Sequence, residues 1–122
     1  MLIETPFMPS KLRAALEDIR ENILIARQTV QGLTFDQFEN SRIYFYAATR
    51  CLEIISEASR RLPQSFRERH PSIPWEAMRD AGNFYRHQYG NVSETRVWRT
   101  IHDSLPALLT IVETELEGLS DP

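Results

Sequence analysis

Between Ile73 and Val92 the chain reads IPWEAMRDAGNFYRHQYGNV, and this stretch carries the side chains best suited to chemistry. On a helix, Arg79, Asn83 and His87, each four residues from the next, fall along one face, with Arg86 at its border. Tyr85 and Tyr89 form a neighbouring pair at the same spacing. An imidazole, an amide and one or two guanidiniums on one surface are the groups that metal-free cleavage of an RNA phosphodiester requires. Histidine, with an unperturbed pKa of about 6.5, can take the proton of a 2′-hydroxyl or return one to the leaving oxygen. Arginine can stabilise the charge that builds on the phosphate, and asparagine can orient an oxygen. DNA has no 2′-hydroxyl, so this chemistry would be confined to RNA. No carboxylate pair, Gly-rich phosphate loop, nucleophile elbow or metal-ligand set competes with it. The spacing alone also fits a surface polar cluster, with the tyrosines packed in a core or an interface.

These residues lie in the basic part of an acidic chain. Its 122 residues carry 14 basic and 17 acidic side chains, a net charge of −3 with His neutral. Of the 14 basic residues 13 are arginine and Lys11 is the single lysine, which reflects either codon bias or a demand for planar guanidinium forks. From Arg60 to His102 eight arginines face four acids, a local charge of +4 that leaves −7 on the remainder. His70, His87 and His102, all of the histidines, fall in this segment. A solvated face with ordinary ion pairs accounts for any one of these arginines, whereas the group points to an anionic partner.

Apolar periodicity places these residues on an all-α scaffold. With 42% apolar residues and this length, one domain can bury roughly two thirds of its unfolded surface. Cys51 alone allows no internal disulfide. No signal-peptide pattern opens the chain and no apolar run approaches the ~20 residues of a membrane span, so the cytoplasm is the expected compartment. Leu12, Leu16, Ile19, Ile23, Ala26 and Val30 mark a first helix, with Ser10 as its expected cap and Gly32 as its end. Thr34 or Asp36 is expected to cap a second long helix, striped by Tyr44, Ala47 or Ala48, Cys51, Ile55, Ala58 and Leu62 and ended by Pro63. The connector from Pro63 to Pro74 has room for a turn or two at Gln64 to Arg69. A third helix is expected from Trp75 to Tyr89, stopped by Gly90-Asn91. Ser93 caps a last one, striped by Val97 or Trp98, Ile101, Leu105, Leu108, Val112, Leu116 and Leu119, with a kink or restart that Pro106 forces near Asp103 to Leu105. The expected architecture is a single-domain antiparallel bundle of four to five helices over residues 1–122, with 1–9 as an N-terminal extension. Trp75 and Trp98 read as packing anchors and Cys51 as a buried small hydrophobe. Glu57 is either a surface residue or an arginine's partner near the site. His70 and His102 carry no assigned role.

Four stretches, CLEIISEASRRLP (Cys51 to Pro63), HPSIPW (His70 to Trp75), GNFYRHQYGNV (Gly82 to Val92) and VWRTIHDSLPALL (Val97 to Leu109), together resemble the HepT-like toxins of the HEPN (higher eukaryotes and prokaryotes nucleotide-binding) superfamily. The resemblance implies a helical bundle that pairs as a homodimer through its signature helices. It further implies a toxin with metal-independent RNase activity and no cofactor, acting at the dimer interface on RNA, with tRNA one candidate, and with neither DNA nor membrane as partner. A cognate, MntA-like nucleotidyltransferase antitoxin would restrain it. The family motif is Arg, a polar residue, three positions, His, one position and Tyr. On this chain the polar residue falls on Asn83, the histidine on His87 and the tyrosine on Tyr89, while the arginine position holds Gly82. The implied catalytic set is His87 as general base or acid, Asn83 positioning the substrate, and Arg79 or Arg86 supplying the guanidinium. Tyr89 would receive AMP from ATP through the antitoxin. The alternative that Gly82 keeps open is a nucleotide- or partner-binding dimer that has lost cleavage.

Overall fold

The first helix, α1 (Pro9–Val30), opens the part of the chain that this computed structural model describes, residues 9–79 and 93–119. Its stripe of Leu12, Leu16, Ile19, Ile23, Ala26 and Val30 is buried throughout, and Ala15 joins it. Ser10 lies inside the first turn and does not cap it, because Pro9 already starts the helix with a φ fixed near helical values. Gly32, at φ +78°, ends the helix in the left-handed conformation that glycine adopts without strain.

The long helix expected from Thr34 onward is two helices. Thr34 caps the short α2 (Phe35–Glu39): its hydroxyl accepts from the Gln37 N–H while the Gln37 side chain accepts from the Thr34 N–H. Asp36 sits in the first turn of α2. The Asn40 side chain donates to the Asp36 carbonyl, a local bond that competes with helix continuation, and α3 (Arg42–Arg60) starts afresh with Ser41 as its cap. This break turns Phe38 inward, where it is fully buried against Phe45 and Trp98. Within α3 the buried stripe begins at Phe45 and continues through Ala48, Cys51, Leu52, Ile55 and Ala58, while Tyr44 stays 40% exposed. The all-carbon ring takes the core position and the phenol keeps its hydroxyl in water.

After Leu62, Pro63 precedes α4 (Gln64–Arg69), the turn or two expected in the connector. Phe66 of α4 is buried, with its ring edge-on to Trp75 at 6.1 Å, and the Trp75 Nε1–H donates to the His70 carbonyl at 3.0 Å. Glu115 fastens this corner to the last helix, accepting from Arg69 at 3.0 Å and lying 2.7 Å from His70 Nε2. His70 therefore acts as a structural clasp. Residues 75–79 form α5. Ser93 caps α6 (Glu94–Arg99) as expected, its hydroxyl accepting from the Arg96 N–H. The kink expected at Pro106 is a π-helical turn over Thr100–Ser104, in which the Leu105 N–H reaches back to the Thr100 carbonyl; α7 (Leu105–Gly118) follows with Pro106 in its first turn. Thr100 Oγ1 donates to the Arg96 carbonyl and His102 Nδ1 to the Trp98 carbonyl, so side chains partner the disturbed ladder.

Val97, Ile101, Leu105, Leu108, Leu109, Val112 and Leu116 of this last helix share one core with α1 and α3. Arg13, near the start of α1, donates to the Leu119 carbonyl just past α7, while Val30, at the opposite end of α1, shares a groove with Ile101 and Pro106. The two helices therefore run antiparallel. Every regular element among the described residues is helical, and none of these helices is long and apolar enough to cross a membrane.

Cys51 lies in this core, where burial pushes its thiol up and Arg50 opposes the shift only in part. The folded chain thus keeps the proton to higher pH than the unfolded chain, whose thiol titrates near about 8.5. Its stabilising contribution is complete below that value and is lost as pH rises through the folded pKa. In thermal melts from neutral to alkaline pH, the wild type should lose more Tm than Cys51→Ala; parallel curves would show that the thiol carries no such linkage.

Candidate functional site

Two hydrogen bonds from α3 tie down the last turn before the chemistry-bearing segment. Ser56 Oγ, 3% exposed, donates to the Met78 carbonyl at 2.8 Å, and Arg60 Nη2 donates to the Arg79 carbonyl at 3.3 Å. Beneath them an apolar cavity of about 180 Å³ separates α3 from α5 and α7, walled by Leu52, Ile55, Ile73, Met78, Leu105 and Leu108. On the far side of the segment the chain resumes at Ser93, the cap of α6. The two attachment points of residues 80–92 are therefore a turn held by α3 and a capped helix start.

Of the candidate catalytic residues, Arg79 lies within the described chain. It is exposed and lines a cleft of about 190 Å³ with Ser59, Arg60, Gln64, Arg67, Trp75 and Glu76. Asn83, Arg86, His87 and Tyr89 lie outside the described residues, as does Gly82. Arg79 is grouped in this cleft with Arg60 and Arg67. Sequence reasoning missed that grouping. Arg60 ends α3, Arg67 lies on α4 and Arg79 on α5, so no single-helix periodicity links them; the one available signal was the excess of arginine over acid from Arg60 onward.

The remaining singled-out residues divide between packing and surface. Trp75 and Trp98 are half-buried against the core, as packing anchors should be. Glu57 is exposed on α3. His102 is exposed and lies over Trp98, with ring centroids 4.1 Å apart. Among the described residues no group of three His, Cys, Asp or Glu side chains could hold a metal ion.

Helical architecture and arginine placement define a small all-α domain. The family described as ribonuclease HepT-like matches residues 16–115, and the chain belongs to that family. Among its relatives, Probable ribonuclease HepT of Thermococcus cleftensis is 34% identical over 93 residues, covering 76% of this chain and 84% of the relative. Putative RNase MJ1380 of Methanocaldococcus jannaschii is 31% identical over 102 residues, covering 84% and 94%. Putative RNase TTE0752 of Caldanaerobacter subterraneus is 33% identical over 96 residues, covering 79% and 86%. No solved structure matches the chain.

Ser56→Ala removes the side-chain hydrogen bond to the Met78 carbonyl. It should cost about 1 kcal/mol in denaturant unfolding, more than the same change at exposed Ser65. Equal midpoints for the two variants would show that the bond contributes nothing to holding α5.

Proposed function

We propose that the protein is the toxin of a toxin–antitoxin pair, a metal-independent ribonuclease that works as a homodimer. The observation that carries this reading is the family match over residues 16–115, which spans Asn83, His87 and Tyr89. In this reading His87 removes the proton of a ribose 2′-hydroxyl, the 2′-oxygen attacks the adjacent phosphorus, and the bond to the 5′-oxygen breaks. The leaving 5′-oxygen takes a proton from the imidazolium of His87 of one subunit or the other. Asn83 orients a phosphate oxygen and Arg79 or Arg86 offsets the charge that grows there.

Regulation follows from the same segment. A cognate nucleotidyltransferase would transfer AMP from ATP to the Tyr89 hydroxyl, releasing pyrophosphate. The product places bulk and negative charge two residues from His87 and repels the RNA phosphate. Gly82 supports a second reading, in which cleavage is lost and a nucleotide- or partner-binding dimer remains.

Incubating the purified chain with total tRNA in EDTA decides between them. On the first reading the wild type cleaves, and His87→Ala lowers the rate by about 10²–10⁴-fold. Equal cleavage by both proteins would remove His87 from the mechanism. On the second reading the wild type is inert and Gly82→Arg gains activity. Co-expression with the nucleotidyltransferase encoded beside the gene should add one AMP to the intact mass, and Tyr89→Phe should abolish the addition.

A further inference from the structure

Arginines on this surface fall into two groups. Arg50 pairs with Glu53 at 2.7 Å, Arg61 with Asp18 at 2.6 Å and Arg69 with Glu115 at 3.0 Å. Arg67 and Arg79 differ: among the described residues neither has a carboxylate within ion-pair distance, and both line the same concave space. Glu68, the acid adjacent in sequence to Arg67, is diverted, its Oε2 accepting from Gln64 Nε2 at 2.8 Å. Among the described residues Arg60 and Glu76 also line the cleft.

Its walls are set before any ligand arrives. Arg60 is anchored on the Arg79 carbonyl, Phe66 is buried beneath α4, and the Trp75 indole is fixed by its bond to the His70 carbonyl. At about 190 Å³ the cleft offers the space of about six waters at ~30 Å³ each, ample for a phosphodiester group. Two guanidiniums without a carboxylate partner that line one concave space raise its positive potential, which a bound anion would offset. Planar forks at the rim match phosphate oxygens two at a time.

We infer that this cleft is a subsite for a backbone phosphate of RNA away from the scissile bond, an assignment that rests on the ribonuclease reading above and leaves the scissile phosphate to Arg86. Arg67 and Arg79 hold the phosphate oxygens, and Gln64 and Ser59 also line the cleft. The subsite includes Arg79, four residues before Asn83 in the sequence. Its contribution is to binding and register, independent of base identity.

The test uses the full chain in a His87→Ala background, so that RNA stays intact, with a fluorescein-labelled single-stranded oligoribonucleotide titrated at several salt concentrations. Arg67→Ala should weaken binding about tenfold and reduce the slope of log K against log salt by about 0.7. Arg67→Lys should keep the slope while losing part of the affinity, and Arg61→Ala, whose guanidinium is committed to Asp18, should change neither. Matching thermal melts establish that the variants are folded. If Arg67→Ala and Arg61→Ala bind like the parent, the subsite is refuted and the ribonuclease reading stands. If the parent itself binds no RNA, that reading falls and takes the subsite with it. If polyglutamate binds the parent as tightly as RNA and Arg67→Ala loses both equally, the cleft is a surface for acidic polymers and the RNA assignment is overturned.

Discussion

Every contact that positions the candidate site traces back to the buried stripe of α1. Its residues from Leu12 to Val30 face α3 on one side and α7 on the other, and most of them are wholly removed from water. Burial of this kind stabilises without directing, at roughly 25 cal/mol per Å² of apolar surface. Direction comes from the polar edges of the stripe. Asp18 takes Arg61 at the end of α3, and Arg13 takes the carbonyl of Leu119 beyond α7, so the two neighbours are pinned at defined heights along α1. With α3 fixed, Ser56 and Arg60 can hold the Met78 and Arg79 carbonyls; with α7 fixed, Glu115 can hold α4 through His70 and Arg69. The arginine cleft is the hollow left between these secondary attachments.

What the sequence made legible follows from this division. Burial is periodic, so the stripes of α1 and of the last helix were readable residue by residue, and Ser93 and Gly32 marked real boundaries. Breaks were less legible because they depend on competition between small local terms. At Asn40 a side-chain bond to the Asp36 carbonyl and a fresh cap at Ser41 outweigh two more turns of helix, and the apolar pattern across the break registers nothing. Tyr44 and Phe45 show the same limit, since either fits the spacing and the choice turns on where a phenol can keep water. Pro106 announced a distortion, yet only the structure shows it absorbed upstream as a π turn, with the Thr100 and His102 side chains bonded back to the Arg96 and Trp98 carbonyls of α6.

The candidate site was legible in kind more than in place. Helical spacing collected Arg79, Asn83, Arg86 and His87 because they are near in sequence, and the family match covers that stretch. The companions that Arg79 has in the described structure come from elsewhere: Arg60 and Arg67 are separated from it, and from each other, by Pro63 and by the connector that ends at Pro74. A cleft assembled across such breaks has no period. Only the excess of arginine over acid from Arg60 onward hinted that distant guanidiniums would meet.

That excess changes meaning once the pairs are known. Arg61 and Arg69 draw their acids, Asp18 and Glu115, from the acidic remainder of the chain, so part of the +4 segment is neutralised by folding itself. Each of these pairs uses one guanidinium nitrogen, a geometry that a lysine ammonium would satisfy as well. Arg69 gains something further from planarity, lying 5.3 Å over the Phe66 ring. Ion pairing therefore does not explain why the chain uses arginine almost exclusively. Arg67 and Arg79, neither with a carboxylate within ion-pair distance among the described residues, share a concave wall, and there the planar fork differs from an ammonium in what it can hold. A phosphate offers oxygens at the spacing of that fork, so the cleft gives the arginine bias a physical use beyond charge.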